Sequence, residues 1–254
     1  MNRDPVLRID NLGHDYGKFR VIEDISLAIF PGELSALIGP NGAGKTTFYN
    51  AISGKFPPTR GRVYLDGEDI TGLPAHRVIA KGMSRSFQIT NIFTNMTVRE
   101  NVIAPLIIQR NRHFRMFGNI FHNRPMVAAV MEVLDHVGLA DRADELVANM
   151  AYGDKRLVEM AIVLARQPRI VLLDEPTAGM NPEETENMIA LIKKLAATSG
   201  TTFFITEHDM KVVFSLAEKI YVLHQGRLLA QGAPETIRSN AEVQEAYLGR
   251  KVHA

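Results

Sequence analysis

The hydrophobic positions of this chain change their period twice. Short apolar or alternating runs come first: "VLRI" from Val6 to Ile9, "VIEDISLAIF" from Val21 to Phe30, "LSALIG" from Leu34 to Gly39 and "RVYL" from Arg62 to Leu65. Gly32, Gly61 and Gly67 stand between them as turn residues, so these runs predict strands. From about Thr97 to Arg166 the period becomes helical. Leu157, Met160, Ala161, Leu164 and Ala165 fall on one helix face, and Gln167-Pro168 ends the run. Strand and helix then alternate: "IVLLD", a helix from Pro182 to about Ala197, "TTFFIT", a short helix, and "KIYVLHQGRLLAQG", which reads as a hairpin. Continuous apolar strands alternating with helices are covered on both faces, which predicts a parallel α/β sheet with the helical middle inserted into it. No internal repeat or low-complexity linker divides the chain, so one compound domain is expected.

Composition narrows the chemistry. Lys and Arg number 29 against 28 Asp and Glu, so the overall charge calls for no nucleic acid, acidic membrane or polyanion, and a phosphate site must be local. With no cysteine there is neither a disulfide nor a thiolate metal site, which fits a reducing compartment. The opening residues "MNRDPVLRIDN" hold no signal-like apolar segment, and no run approaches the roughly 18 apolar residues that span a bilayer. A soluble, cytoplasmic chain is the expectation.

"GPNGAGKTT" places Gly39, Pro40, Asn41, Gly42, Ala43, Gly44, Lys45, Thr46 and Thr47 between the strand Leu34 to Ile38 and the short helix "FYNAISG". This is G-x-x-x-x-G-K-[ST] in its strand-to-helix context. Glycines let the backbone close around phosphate oxygens, and the helix N-terminus adds aligned N–H donors. Lys45 is placed to reach the β and γ phosphates and the Thr46 hydroxyl to hold Mg²⁺. "IVLLDEP" supplies two carboxylates where a buried strand emerges, Asp174 for Mg²⁺ and Glu175 as general base toward water. By itself an Asp-Glu pair at a strand end more often caps the next helix; the glycine loop in the same chain reverses that reading.

Together these residues resemble the nucleotide-binding subunit of an ATP-binding cassette (ABC) transporter along nearly the whole chain. The resemblance implies a P-loop NTPase, RecA-like core with an N-terminal antiparallel β subdomain, over about residues 1–87 and 167–254, and an inserted α-helical subdomain over about 88–166. It further implies ATP and Mg²⁺ as cofactors, Tyr16 in "HDYG" as the aromatic that stacks on adenine, and Gln88 in "SRSFQIT" as a sensor of Mg²⁺ and the γ-phosphate. His208 in "EHDM" matches the switch histidine.

The family's signature, commonly Leu-Ser-Gly-Gly-Gln at a helix N-terminus, falls on Met150, Ala151, Tyr152, Gly153 and Asp154, of which only Gly153 is identical. Ala151 lacks the hydroxyl that would bond a γ-phosphate. Backbone N–H groups from Tyr152 onward can still bind an anion, while the charge of Asp154 opposes it. A plain helix start fits the same residues. Asn181 stands where most relatives carry Asp, and "MAYGD", "AGMNPEE", a long insert start "IIQRNRHFRMFGNIFHNRP" and the C-terminal "QGRLLAQGAPETIRSNAEVQEAYLG" are similar to the ATPases of branched-chain amino-acid importers.

The insert start carries Arg110, Arg112, Arg115 and Arg124 among Phe114, Phe117 and Phe121. Packing within the helical subdomain, contact with a permease or membrane, and stacking on single-stranded nucleic acid are all open to it.

The resemblance further implies that one phosphate loop and one signature belong to a site completed by a second subunit, a copy or a paralogous ATPase. It also implies transmembrane permease subunits and, indirectly, a periplasmic or extracellular substrate-binding protein, with no nucleic acid, at the cytoplasmic face of the membrane. The alternatives are an ABC ATPase for urea or lipopolysaccharide, a soluble ABC ATPase, and a nucleotide-binding regulator without turnover.

Overall fold

The computed structural model describes residues 4–86, 92–110 and 124–248. β1 (Leu7–Tyr16) and β2 (Phe19–Ile29) form an antiparallel pair, which β4 (Arg60–Leu65) and β5 (Glu68–Asp69) extend to a four-stranded sheet in the order β2-β1-β4-β5. β1 runs well past the apolar stretch Val6 to Ile9. Register shifts between Ile9 and Leu12 and between Leu12 and His14 break the alternation, so the second half of the strand does not read as one.

The second sheet holds six strands in the order β10-β9-β3-β8-β7-β6. Its centre is β3 (Leu34–Ile38), β8 (Thr202–Thr206) and β7 (Ile170–Asp174), each buried along its whole length and paired in parallel. β6 (Met83–Arg85) and β9 (Lys219–His224) add parallel strands, and β10 (Arg227–Gly232) closes one edge antiparallel to β9.

Alternate residues of the central strands serve two different cores. Val171, Leu173, Phe203 and Ile205 face a core built largely by α3 (Val98–Arg110), α4 (Arg124–His136), α5 (Tyr152–Leu164) and α6 (Pro182–Thr198). Ile170, Leu172 and Phe204 face α1 (Lys45–Ile52) and the antiparallel sheet. There Phe48, Tyr49 and Tyr221 pack around Phe204, and the Tyr49 hydroxyl donates to Phe204 O at 2.9 Å. A run apolar on both faces is what this two-sided burial requires.

α3, α4 and α5 lie between β6 and β7. The stretch is not one helical run: short 3₁₀ turns at Ala140–Arg142 and Val147–Asn149 separate α4 from α5. On α5, Met160, Ala161, Leu164 and Ala165 are buried as the periodicity predicts, and Leu157 is half-buried against the same core. α2 (Ala75–Ala80), α7 (Met210–Leu216), α8 (Pro234–Ser239) and α9 (Ala241–Leu248) complete the described elements. Among the described residues no helix is long and apolar enough to cross a membrane.

Candidate nucleotide site

The glycine loop leaves the C-terminal end of β3, and its shape depends on close backbone contacts. A Cβ at Gly39 would lie 2.2 Å from Leu223 O. Gly44 caps α1 at φ +102°, and a Cβ there would lie 2.7 Å from Ile22 Cγ2. Larger residues are excluded at both positions. Inside the loop the Ala43 N–H donates to Pro40 O at 3.1 Å. The turn between β9 and β10 supports it from outside, the Gly226 N–H donating to Ala43 O at 3.0 Å and the Glu23 N–H of β2 to Gly226 O at 2.8 Å.

Asn41, Gly42 and Thr46 face solvent, while Lys45 is buried with Nζ donating to Gly39 O at 2.5 Å and Pro40 O at 3.2 Å. Burial lowers the ammonium pKa below its usual value, and the carboxylates of Glu175 and Asp174 pull it back. The lysine therefore rests on carbonyl oxygens that a phosphate would outcompete as partners.

At the end of β7, Asp174 is held from three sides. Arg85 Nη2 donates to its Oδ2 at 2.8 Å, the Thr206 hydroxyl donates to its Oδ1 at 2.7 Å, and its own N–H donates to Ser86 Oγ at 3.2 Å. Arg85 is fixed in turn by Asn50 Oδ1 at 2.7 Å and Ser53 Oγ at 3.2 Å at the far end of α1. Glu175 has φ +51°, in the left-handed region that a non-glycine residue seldom adopts. Its N–H donates to Thr206 O at 3.0 Å and its carbonyl accepts from the Ala178 N–H at 3.1 Å, so the neighbouring backbone maintains the conformation. The Glu175 carboxylate lies 2.5 Å from His208 Nε2.

Behind this pair Glu207 ties the loop after β7 to the segment after β8. Its Oε1 accepts from the Thr177 N–H at 3.0 Å and the Thr177 hydroxyl at 2.6 Å, and its Oε2 accepts from the His208 N–H at 3.1 Å.

A cavity of about 230 Å³ is lined by Asn41 to Thr47, Asp174, Glu175 and His208, together with Val21 and Thr206. Residues far apart in sequence thus meet around one cavity. Gly39 and Pro40 shape the loop from behind. Tyr16 stands at the end of β1 with about half its surface exposed, set against His14 and Phe56 at ring distances of 4.7 and 5.9 Å. Gln88 lies outside the described residues, as do Arg112, Arg115, Phe114, Phe117 and Phe121; Arg124 opens α4 and is exposed.

Ala151, Tyr152 and Gly153 do not line this cavity. Ala151 caps α5 without a side-chain bond, and Tyr152 and Gly153 begin its first turn. Ala151, Gly153 and Asp154 border a separate cleft of about 120 Å³ with Met180 and Glu184. Asp154 is paired with Arg142 at 2.8 Å, which offsets the negative charge expected to oppose an anion. Asn181 is the N-cap of α6, accepting from the Glu184 N–H at 2.9 Å while Glu184 accepts from the Asn181 N–H at 2.9 Å, a complete capping box.

Arg85, Thr206, Glu207 and Thr177 are not identifiable from the sequence motifs. A threonine ending an apolar strand, as Thr206 ends "TTFFIT", was the one available signal.

A mostly parallel sheet, a glycine loop opening a helix, and acidic residues at the tip of a neighbouring strand define a P-loop nucleotide-binding ATPase. The ABC transporter family pattern matches residues 22–178, and a pattern described as branched-chain amino acid ATP-binding cassette transporter matches residues 227–253. The chain belongs to the ABC transporter family, as an ATP-binding, ATP-hydrolysing subunit. It is 38% identical to the high-affinity branched-chain amino acid transport ATP-binding protein LivG of Escherichia coli and to BraF of Pseudomonas aeruginosa, in each case covering 96% of this chain and 98% of the relative. A lipopolysaccharide export ATP-binding protein, LptB of Haemophilus influenzae, is 31% identical, covering 97% and 98%. Among solved structures, an ATP-binding cassette of an ABC transporter in its ADP conformation superposes with a TM-score of 0.85 at 28% identity, covering 96% of this chain and 99% of that one.

Proposed function

We propose that this chain is the ATPase subunit of an importer for branched-chain amino acids, working at the cytoplasmic face of the membrane. The observation that carries the reading is the single cavity shared by Lys45, Thr46, Glu175 and His208. The relatives' cargo and the C-terminal match support the substrate class.

In this reading Asn41 to Thr47 wrap the phosphates with backbone N–H groups, Lys45 leaves its carbonyl partners for the β and γ phosphates, and Tyr16 stacks on adenine. Glu175 takes a proton from water as the water oxygen bonds to the γ-phosphorus and the bond to the ADP oxygen breaks. His208 orients Glu175 and contacts the γ-phosphate.

Thr46, Asp174 and Gln88 are the residues that would hold Mg²⁺. The donor chemistry fits a hard cation: Thr46 and Asp174 put oxygen atoms on the lining of one cavity, and Mg²⁺ is ordinarily held by one or two protein groups with phosphates and water. Bound there, Mg²⁺ would neutralise charge on the phosphate oxygens.

Ala151, Tyr152 and Gly153 lie off the cavity, which supports a site completed by the other subunit, a copy or a paralogue. A dimeric bacterial ABC cassette with a TM-score of 0.75 at 26% identity supports such pairing. The helices between β6 and β7, about residues 88–166, would form the subdomain that meets the permease, with a substrate-binding protein acting on the far side.

ATPase turnover of the wild type and Glu175→Gln, with sedimentation of the mutant in Mg-ATP, tests the proposal. Hydrolysis by the wild type only, with a nucleotide-bound mutant dimer, supports it. An inactive wild type and a monomeric mutant refute the composite site for this chain alone.

A further inference from the structure

Within one subunit, a side-chain contact joins the start of α5, which the composite-site reading turns toward the partner, to the loop that follows β7. The Tyr152 hydroxyl donates to Ala178 O at 3.3 Å and accepts from Arg156 Nη2 at 2.9 Å. Its ring lies on Gly179, where a Cβ would be 3.5 Å from the ring carbon Cε1. Arg156, only 8% exposed, stacks 5.4 Å from the ring centroid and is anchored by Glu159 at 2.9 Å. One residue along α5, Gly153 packs on Glu184 so tightly that a Cβ would come 2.7 Å from its Oε1, and Glu184 is the capping-box partner of Asn181.

Of the departures from the common motifs, Tyr152 makes the contact with Ala178 and Gly179, and Asn181 is joined to the same helix start through Glu184 and Gly153. A glycine at position 152, as in the common signature, has no side chain to make it. We propose that Tyr152 is a positioning residue that fixes the start of α5 to the loop 176–181, so that both meet a second subunit as one surface. The inference rests on the composite-site reading for its functional half, while the link itself exists within a single chain.

The test compares Tyr152→Phe and Tyr152→Ala in the full chain carrying Glu175→Gln. Phe keeps the ring and loses both hydrogen bonds; Ala loses everything. Amide hydrogen exchange is followed without nucleotide at Ala178 and Met180, whose N–H groups donate to Glu175 O at 3.1 Å and Thr177 O at 3.2 Å. Exchange there is expected to rise about fivefold in Tyr152→Phe and further in Tyr152→Ala, the scale of one lost hydrogen bond. In Mg-ATP the dimer dissociation constant rises by about the same factor, while the monomer's affinity for a fluorescent ATP analogue stays at the parent value. Unchanged exchange in Tyr152→Ala overturns the proposal, as does a rise spread evenly over the whole chain, which would make Tyr152 an ordinary packing residue. A parent that stays monomeric in Mg-ATP refutes the composite site, and the exchange measurement still decides whether Tyr152 holds the loop.

Discussion

His208 Nε2 stands 2.5 Å from Glu175 Oε1, a contact between a residue just after β8 and one just after β7. The histidine side chain is 46% exposed, so the pair contributes little to folding, and in the proposed mechanism it aims the carboxylate. Replacing His208 by Ala is expected to lower ATP turnover by about 100-fold or more. Melting temperature should stay near wild type and ATP affinity should fall far less than turnover, a separation that steady-state kinetics and a binding titration resolve.

Arg85 and Asp174 behave differently, because Asp174 is buried and Arg85 nearly so, at 7% and 11% side-chain exposure. Removing the cation in Arg85→Met strands a carboxylate away from water and is expected to cost about 3–5 kcal/mol of stability. Arg85→Lys keeps a charge but cannot reach Asp174, Asn50 and Ser53 together, so it should fall between Met and wild type. Urea unfolding of the three proteins gives the order; equal midpoints would show that the ion pair does not hold β6 against β7.

Asn181 offers a smaller and separable effect. Asn181→Ala removes the side-chain acceptor at the start of α6 and should cost about 1 kcal/mol, whereas Asn181→Asp retains it and should unfold within about 0.5 kcal/mol of wild type. Denaturant midpoints at neutral pH check both.

Alkali provides a fourth test. Burial raises the phenol pKa of Tyr247 to about 12, against 10.0 for an exposed tyrosine, and also lifts Tyr49 and Tyr221. The Tyr247 hydroxyl lies near the Gly39 backbone but makes no hydrogen bond of normal geometry among the described residues. Between pH 10 and 12 the unfolded chain has released this proton and the folded chain has not, so stability falls as pH rises, by about 1.4 kcal/mol per unit for this group. Tyr247→Phe should match wild type at pH 7 and outlast it above pH 10, as read by circular dichroism across a pH series.

What the sequence discloses here follows from burial. β3, β7 and β8 are covered on both faces, so "LSALI", "IVLLD" and "TFFIT" carry continuous apolar signals, and the motifs at their ends could be placed before any coordinates. β6 spans only Met83–Arg85, too short for a period, and its arginine looks like a surface residue until Asp174 is found beside it. Arg156 is equally deceptive, a charge on the buried side of α5 whose Nη1 and Nη2 donate to Glu159 and Tyr152 in place of water. Contacts such as Tyr152 to Ala178 or Thr177 to Glu207 depend on how separate loops meet in space, and no local pattern encodes them.

The brace from Glu23 through Gly226 to Ala43 has a kinetic consequence. A phosphate loop suspended from a hairpin turn and an antiparallel sheet has its backbone conformation set during folding, and little of the ordering entropy falls due when nucleotide arrives. Capture of ATP should then proceed at a rate governed by encounter rather than rearrangement, leaving the slow events of the cycle to the approach and parting of subunits.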